Sequence, residues 1–283
     1  GWMIGTDPNF NHSSFLYAID KPPERSVTTS RVASTESGKF NIWQPSLFGE
    51  VSVRAGDATI TPGVRADMQV VESSMVSSID PRIRATWAVS DRSTLKFGAG
   101  RHSRAPTSRQ LGESSDGNPD LGVESSYQFS GGVEQILASW LTLDVTGFYH
   151  HLDDLVVGLE DRYRFYSGPP PAGPFDTEPY ANDGTGRTFG VEVLASIVAE
   201  NTLGLLSGTW SRSDRVKRPG AERTLFEYEQ PLVLNALVSQ KLPRRWRTGI
   251  RIRYGSGNPY TPVANRIYNH DRREFIPVFG EKD

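Results

Sequence analysis

The segment Leu141-Thr-Leu-Asp-Val-Thr-Gly-Phe-Tyr149 constrains what this chain can become. Leu141, Leu143, Val145, Gly147 and Tyr149 are apolar, small or aromatic, whereas Thr142, Asp144, Thr146 and His150 are mostly polar. A repeat of two marks a β-strand with one greasy and one wet face, because successive side chains leave a strand on opposite sides. The alternation returns along the chain. Trp246, Thr248, Ile250, Ile252 and Tyr254 alternate with a basic stripe of Arg245, Arg247, Arg251 and Arg253. Leu47, Gly49, Val51 and Val53 oppose Glu50, Ser52 and Arg54, and Pro81, Ile83, Ala85, Trp87 and Val89 oppose Arg82, Arg84 and Thr86. Leu232, Leu234, Ala236 and Val238 oppose Asn235 and Ser239. An arginine stripe inside a dry core would carry a heavy desolvation cost; facing a wet lumen it does not. The greasy faces are therefore expected to meet hydrocarbon, the pattern of an antiparallel transmembrane β-barrel.

The connections point the same way. About twelve strands are predicted, near 10–20, 40–54, 58–70, 79–89, 93–103, 124–136, 140–157, 187–198, 202–213, 229–241, 246–257 and 273–279. Short connections fall at 55–58, 90–92, 137–139, 199–201 and 242–245; long ones fall at 21–39, 71–78, 103–123, 158–186, 213–228 and 258–272. Strict alternation puts every long loop at one end, as in outer-membrane barrels with short periplasmic turns and long external loops. Predicted strand lengths of roughly 10–14 residues exceed the usual ~5–6 of soluble proteins and suit a tilted span.

Composition removes other classes. No apolar run approaches the ~18–20 residues of a transmembrane helix, while a mean hydropathy of −0.45 fits a barrel in which only alternate residues face lipid. A net charge of −2, from 31 basic and 33 acidic residues, gives no reason to expect nucleic acid. There is no cysteine, hence no disulfide and no thiolate metal site. Gly1-Trp2-Met3-Ile4 lacks the basic and apolar regions of a signal peptide, so an exported chain is expected to be mature or truncated here.

Chemistry-bearing motifs are sparse. The histidines are His12, His102, His150, His151 and His270. His150-His151 with Asp153-Asp154 would have to converge from opposite faces of a strand, so neither a metal nor a cofactor is expected. No nucleophile elbow, phosphate loop or dinucleotide fingerprint occurs, and the chain is not expected to be an enzyme. The arginine stripe either attracts an anionic ligand or pairs with acids on neighbouring strands or a luminal plug. The stretch 158–186, with Tyr163, Phe165 and Tyr166, reads either as an external ligand loop or as a solvated loop whose aromatics pack together.

Several strings in order resemble a known family. Arg101-His-Ser-Arg-Ala-Pro106 precedes Gln110-Leu111, Asn118-Pro119-Asp120-Leu121, Glu124-Ser125-Ser126-Tyr127, Gly132-Val133-Glu134 and Asp154-Leu155-Val156-Val157. Weaker echoes are Pro62-Gly63-Val64-Arg65, Thr188-Phe189-Gly190-Val191-Glu192 and Gly255-Ser256-Gly257-Asn258-Pro259-Tyr260. From about Gln44 onward the chain resembles the C-terminal half of the barrel in TonB-dependent outer-membrane receptors. The resemblance implies that residues 1–283 are part of a barrel of about 22 strands, without its N-terminal plug, first strands and final strand. It implies a bacterial outer-membrane receptor importing a ferric siderophore, cobalamin or glycan with energy delivered by the TonB complex. Partners would be outer-membrane lipid, a small-molecule or metal-chelate ligand, and the TonB complex through the N-terminal part. The best candidates for ligand contact are Arg101, Arg104, Tyr163, Tyr166 and Arg253. The alternative is a smaller self-contained barrel acting as a passive channel or adhesin.

Overall fold

The computed structural model describes residues 2–6, 9–20, 33–112, 117–158, 179–260, 263–269 and 274–279. Its strands are β1 (Trp2–Thr6), β2 (Asn9–Asp20), β3 (Ala33–Gln44), β4 (Ser46–Val51), β5 (Val53–Ala55), β6 (Ala58–Val71), β7 (Ser74–Ser90), β8 (Ser93–Arg104), β9 (Glu124–Ala138) and β10 (Leu141–Gly158). They continue with β11 (Tyr180–Val198), β12 (Thr202–Val216), β13 (Thr224–Leu225), β14 (Leu232–Lys241), β15 (Arg247–Gly255), β16 (Val263–Asn269) and β17 (Glu274–Phe279). One short helix, α1 (Ser108–Leu111), interrupts the pattern.

Among the described residues, fifteen strands form one antiparallel sheet whose order follows the chain from β6 through β12 to β14 and β15. This is the up-and-down wall of a β-barrel. β1 and β2 run in succession along β4 and β3, pairing Trp2 with Val51 and Asn9 with Gln44. Likewise β3, β4 and β5 line β6 in turn, broken near Pro45, which has no N–H to donate to a ladder.

The register sorts the side chains into two faces. Val145 lies between Val133 and Val193, Ile83 between Pro62 and Ala99, and Ile250 opposite Val238. On the other face Glu50 receives Arg82 at 3.2 Å and Arg84 at 3.3 Å, and Lys96 pairs with Glu134 at 2.6 Å and with Asp144. Ser52 and Thr61 share a 3.0 Å hydrogen bond. The apolar face is bare: Ile79 is 65% exposed and Ile250 60%. Only Val71, Val76, Leu111 and Leu121 are buried hydrophobics among the described residues, and they form a small cluster beneath the 105–123 connection. The sheet thus holds no apolar core. Its greasy side is a surface.

Several boundaries differ from the sequence expectation. The predicted long connection at 71–78 is a two-residue hairpin in which Val71 pairs with Ser74 and Glu72 adopts a φ of 53°. Strict alternation of short and long therefore fails there, although the connections 105–123, 159–179 and 217–231 share one end. β10 has the 18 residues expected of it, whereas β11, expected over 187–198, reaches 19 residues and pairs with β10 up to Gly158 and Tyr180. The expected single strand at 273–279 is one arm of a hairpin with β16, inside what reads as a loop at 258–272. β1 and the start of β3 are not expected from the pattern, because β1 is only five residues long and 33–38 is small and polar without alternation. Arg245 does not belong to the basic stripe. Pro243–Arg245 is a 3₁₀ turn in which Arg244 and Arg245 take φ of 60° and 64°, so β15 begins only at Arg247.

Candidate ligand-binding site

The connection between β8 and β9 builds the platform. Thr107 caps α1: its hydroxyl accepts from the Gln110 N–H at 3.4 Å, and Gln110 Oε1 accepts from the Thr107 N–H at 2.8 Å. The Asn118 N–H donates to Gln110 O at 2.7 Å, its Nδ2 donates to Tyr180 O at 2.8 Å, and its Oδ1 accepts from Asp120 N at 2.9 Å. Asn182 accepts from Gly122 N and donates to Asp154 O. From the β6–β7 hairpin, Gln69 Nε2 donates to Pro106 O at 2.8 Å and Ser74 Oγ to Leu111 O at 3.3 Å. Leu111 and Leu121 close the small apolar cluster below. The family-like residues of this stretch are a clamp that fixes the connection over the wall.

Glu124 joins the platform to the cavity beside it. One carboxylate oxygen accepts from Val156 N at 2.9 Å, and the other receives Arg104. Glu124 is almost fully buried, whereas the Arg104 side chain is 79% exposed and extends into open space. Three cavities adjoin along the polar face. One, of about 470 Å³, is bordered by His102, Arg104, Glu124, Leu152, Arg215 and Phe226. A second, about 420 Å³, shares Arg104 and is bordered by Arg65, Asp67 and Gln69. A third, about 320 Å³, shares His102 and is bordered by Arg82, Arg84, Gln128 and His150. Arg215 lies 4.5 Å over the Phe226 ring and donates to Ser213 Oγ and Asp214 O, which holds its guanidinium at the wall of the first of these cavities. Lys217 and Glu227 complete that border and pair at 3.6 Å. Cations, hydroxyls and an apolar floor suit non-covalent recognition of an anionic or polar small molecule.

The predicted contacts separate in space. Arg104 borders two cavities. Arg101 instead donates to Ile79 O at 3.0 Å, Asp80 Oδ1 at 3.3 Å and Ser125 Oγ at 2.8 Å, which commits its guanidinium to the wall. Arg253 stands opposite Asn235 on β15, with Arg251 and Arg247 on the same face, away from these cavities. Tyr163 and Tyr166 lie outside the described residues. His150 and His151 face opposite sides, as their alternation requires. Reading the sequence missed His102, Arg215 and Phe226. The first two were accessible in principle, since His102 keeps step with Arg104 and Arg215 continues the alternation of a strand expected to end at 213.

A family model described as "TonB dependent receptor-like, beta-barrel" matches residues 2–274. Among solved structures, the chain is similar to the ferripyoverdine receptor of the outer membrane of Pseudomonas aeruginosa bound to ferripyoverdine, at 14% identity and a TM-score of 0.65 over 100% of this chain and 38% of that one. The ferric-catecholate import receptor Fiu of E. coli matches at 11% identity and a TM-score of 0.62, over 91% of this chain and 42% of that one. The FrpB iron transporter of Neisseria meningitidis matches at 15% identity and a TM-score of 0.58, over 87% and 37%. This chain spans less than half the length of these structures, and at such identities the likeness speaks for the fold. No curated protein matches the chain by sequence. The family match covers nearly the whole chain, and the chain belongs to the TonB-dependent receptor-like β-barrel family.

Proposed function

We propose that this chain forms part of the wall of an outer-membrane receptor that binds a ferric siderophore or similar metal chelate at its loop end and imports it with energy from the TonB complex. The observation that carries this reading is the placement of Arg104 and Arg215 on one cavity, at the loop end of a wall whose opposite face is apolar and bare. The solved neighbours support the ligand class, since they include receptors for ferripyoverdine and ferric catecholates. Lipid would cover the apolar face, and a ligand would meet the polar one.

The test is uptake of a labelled ferric siderophore by cells carrying the full receptor. Arg104→Ala should weaken binding about tenfold, the scale of one lost hydrogen bond to a charged group. Uptake should vanish in cells lacking TonB. Uptake that persists there would favour a passive channel, and unchanged affinity across a panel of chelates in Arg104→Ala would remove this cavity as the site.

A further inference from the structure

The third cavity, on the polar face, has a build of its own. Gly98 and Gly100 on β8 form its floor, with Arg84 and Arg82 beside them on β7 and Ser130 and Gln128 on β9. Neighbouring strands lie ~4.8 Å apart, so the cationic column and the polar column stand about 9.6 Å apart across two bare residues. The floor has to stay bare. A β-carbon at 98 would lie 2.8 Å from Ser130 Oγ, and one at 100 would lie 3.0 Å from Arg82 Cβ. His102 closes this trough toward the loops, and His150, opposite Gln128 on β10, closes its far side.

The groups around the trough hold unused donors. One carboxylate, Glu50, serves both arginines and takes a single nitrogen from each. Among the described residues, Arg82 Nε is the only buried side-chain polar atom without a partner, so the wall does not use up this guanidinium. The Arg84 side chain is 62% exposed. Neither His102, His150 nor the Ser130 hydroxyl has a hydrogen-bond partner among the described residues. No carboxylate borders the cavity, and on the same face toward the short turns Glu134 and Asp144 are both held by Lys96.

We infer that this trough binds an oxyanion, a carboxylate or a phosphate, at a subsite separate from the cavity that Arg104 and Arg215 border. Guanidinium donors on one side, with hydroxyl, amide and imidazole donors on the other, match the several oxygens of one such group. The absence of a bordering carboxylate leaves their attraction uncancelled. The site stands whether or not the first cavity takes a metal chelate, since apart from His102 its donors are its own.

The test is calorimetric titration of the full receptor in detergent micelles with inorganic phosphate, with citrate and with glucose. Phosphate or citrate should bind saturably, and the tighter of the two identifies the oxyanion; glucose should not bind. Arg84→Gln should weaken the binding about tenfold, as for one lost hydrogen bond to a charged group. Ser130→Asp, which sets a carboxylate in the trough, should abolish it, with folding checked by the heat-resistant band on a gel. Arg251→Gln, the same charge loss on the polar face of β15, should leave it unchanged. Saturable binding of neither anion, equal binding of glucose, full affinity in Arg84→Gln, or an equal loss in Arg251→Gln would overturn the site.

Discussion

Val145 and Ser239 carry opposite expectations although both sit in mid-strand. Val145 lies between two valines on the bare apolar face, so Val145→Arg should destabilise the assembled wall by about 2–4 kcal/mol in lipid. Ser239 faces the polar side opposite Gly249, where an arginine has room, and Ser239→Arg should change stability by less than about 0.5 kcal/mol. Urea titration of folding into vesicles checks both, and a larger penalty at Ser239 would reverse the assignment of faces. Gly190 shows a different constraint. A β-carbon there would lie 2.3 Å from Trp210 O and 2.9 Å from Phe148 Cζ, so Gly190→Val should fail to assemble, visible as loss of heat-resistant folded protein on a gel. The face of each strand residue was legible because parity alone decides it. The work of Glu124 was not, since the N–H it accepts belongs to Val156, 32 residues away.

At the scale of elements, the 105–123 connection behaves as part of the fold rather than as a loop. Asn118→Ala would remove the bonds to Tyr180 O and from Asp120 N, so amide exchange at Asp120 should accelerate by about tenfold. Hydrogen exchange with mass readout checks this, and unaltered exchange would show that α1 and Leu121 hold the connection without Asn118. The turn chemistry of Asn118-Pro119 marks a bend but does not tell that Asn118 is buried. The β6–β7 hairpin shows the converse. Glu72-Ser-Ser-Met-Val-Ser-Ser78 reads as a loop because the strands there carry serines and the turn lacks glycine. Strands that outrun the apolar belt lose the alternation by which they are recognised.

For the whole molecule, the distance between aromatic belts sets a scale. Trp140, in the short turn just before β10, and Tyr149, on the apolar face opposite Phe129 and Phe189, are nine residues apart, about 30 Å along a strand at ~3.3 Å per residue and about 23 Å once a tilt of ~40° is applied. That is close to the ~25 Å apolar band of a membrane barrel. The absence of native cysteine allows single-cysteine labelling without interference. Cysteines at Ile83 and Ile252 should report a lipid environment and those at Arg84 and Arg251 an aqueous one, and spin-label accessibility to oxygen against a water-soluble relaxant would expose any exchange of the two sets. The class of architecture was readable from period and connection length, whereas the cavities were not, because they join residues from strands far apart in sequence. From β6 onward each long strand is bonded to its predecessor. Such a wall can grow by accretion, one hairpin templating the next, so a fault at Gly190 should halt assembly at β11 and leave the ladder from β6 to β10 competent to form.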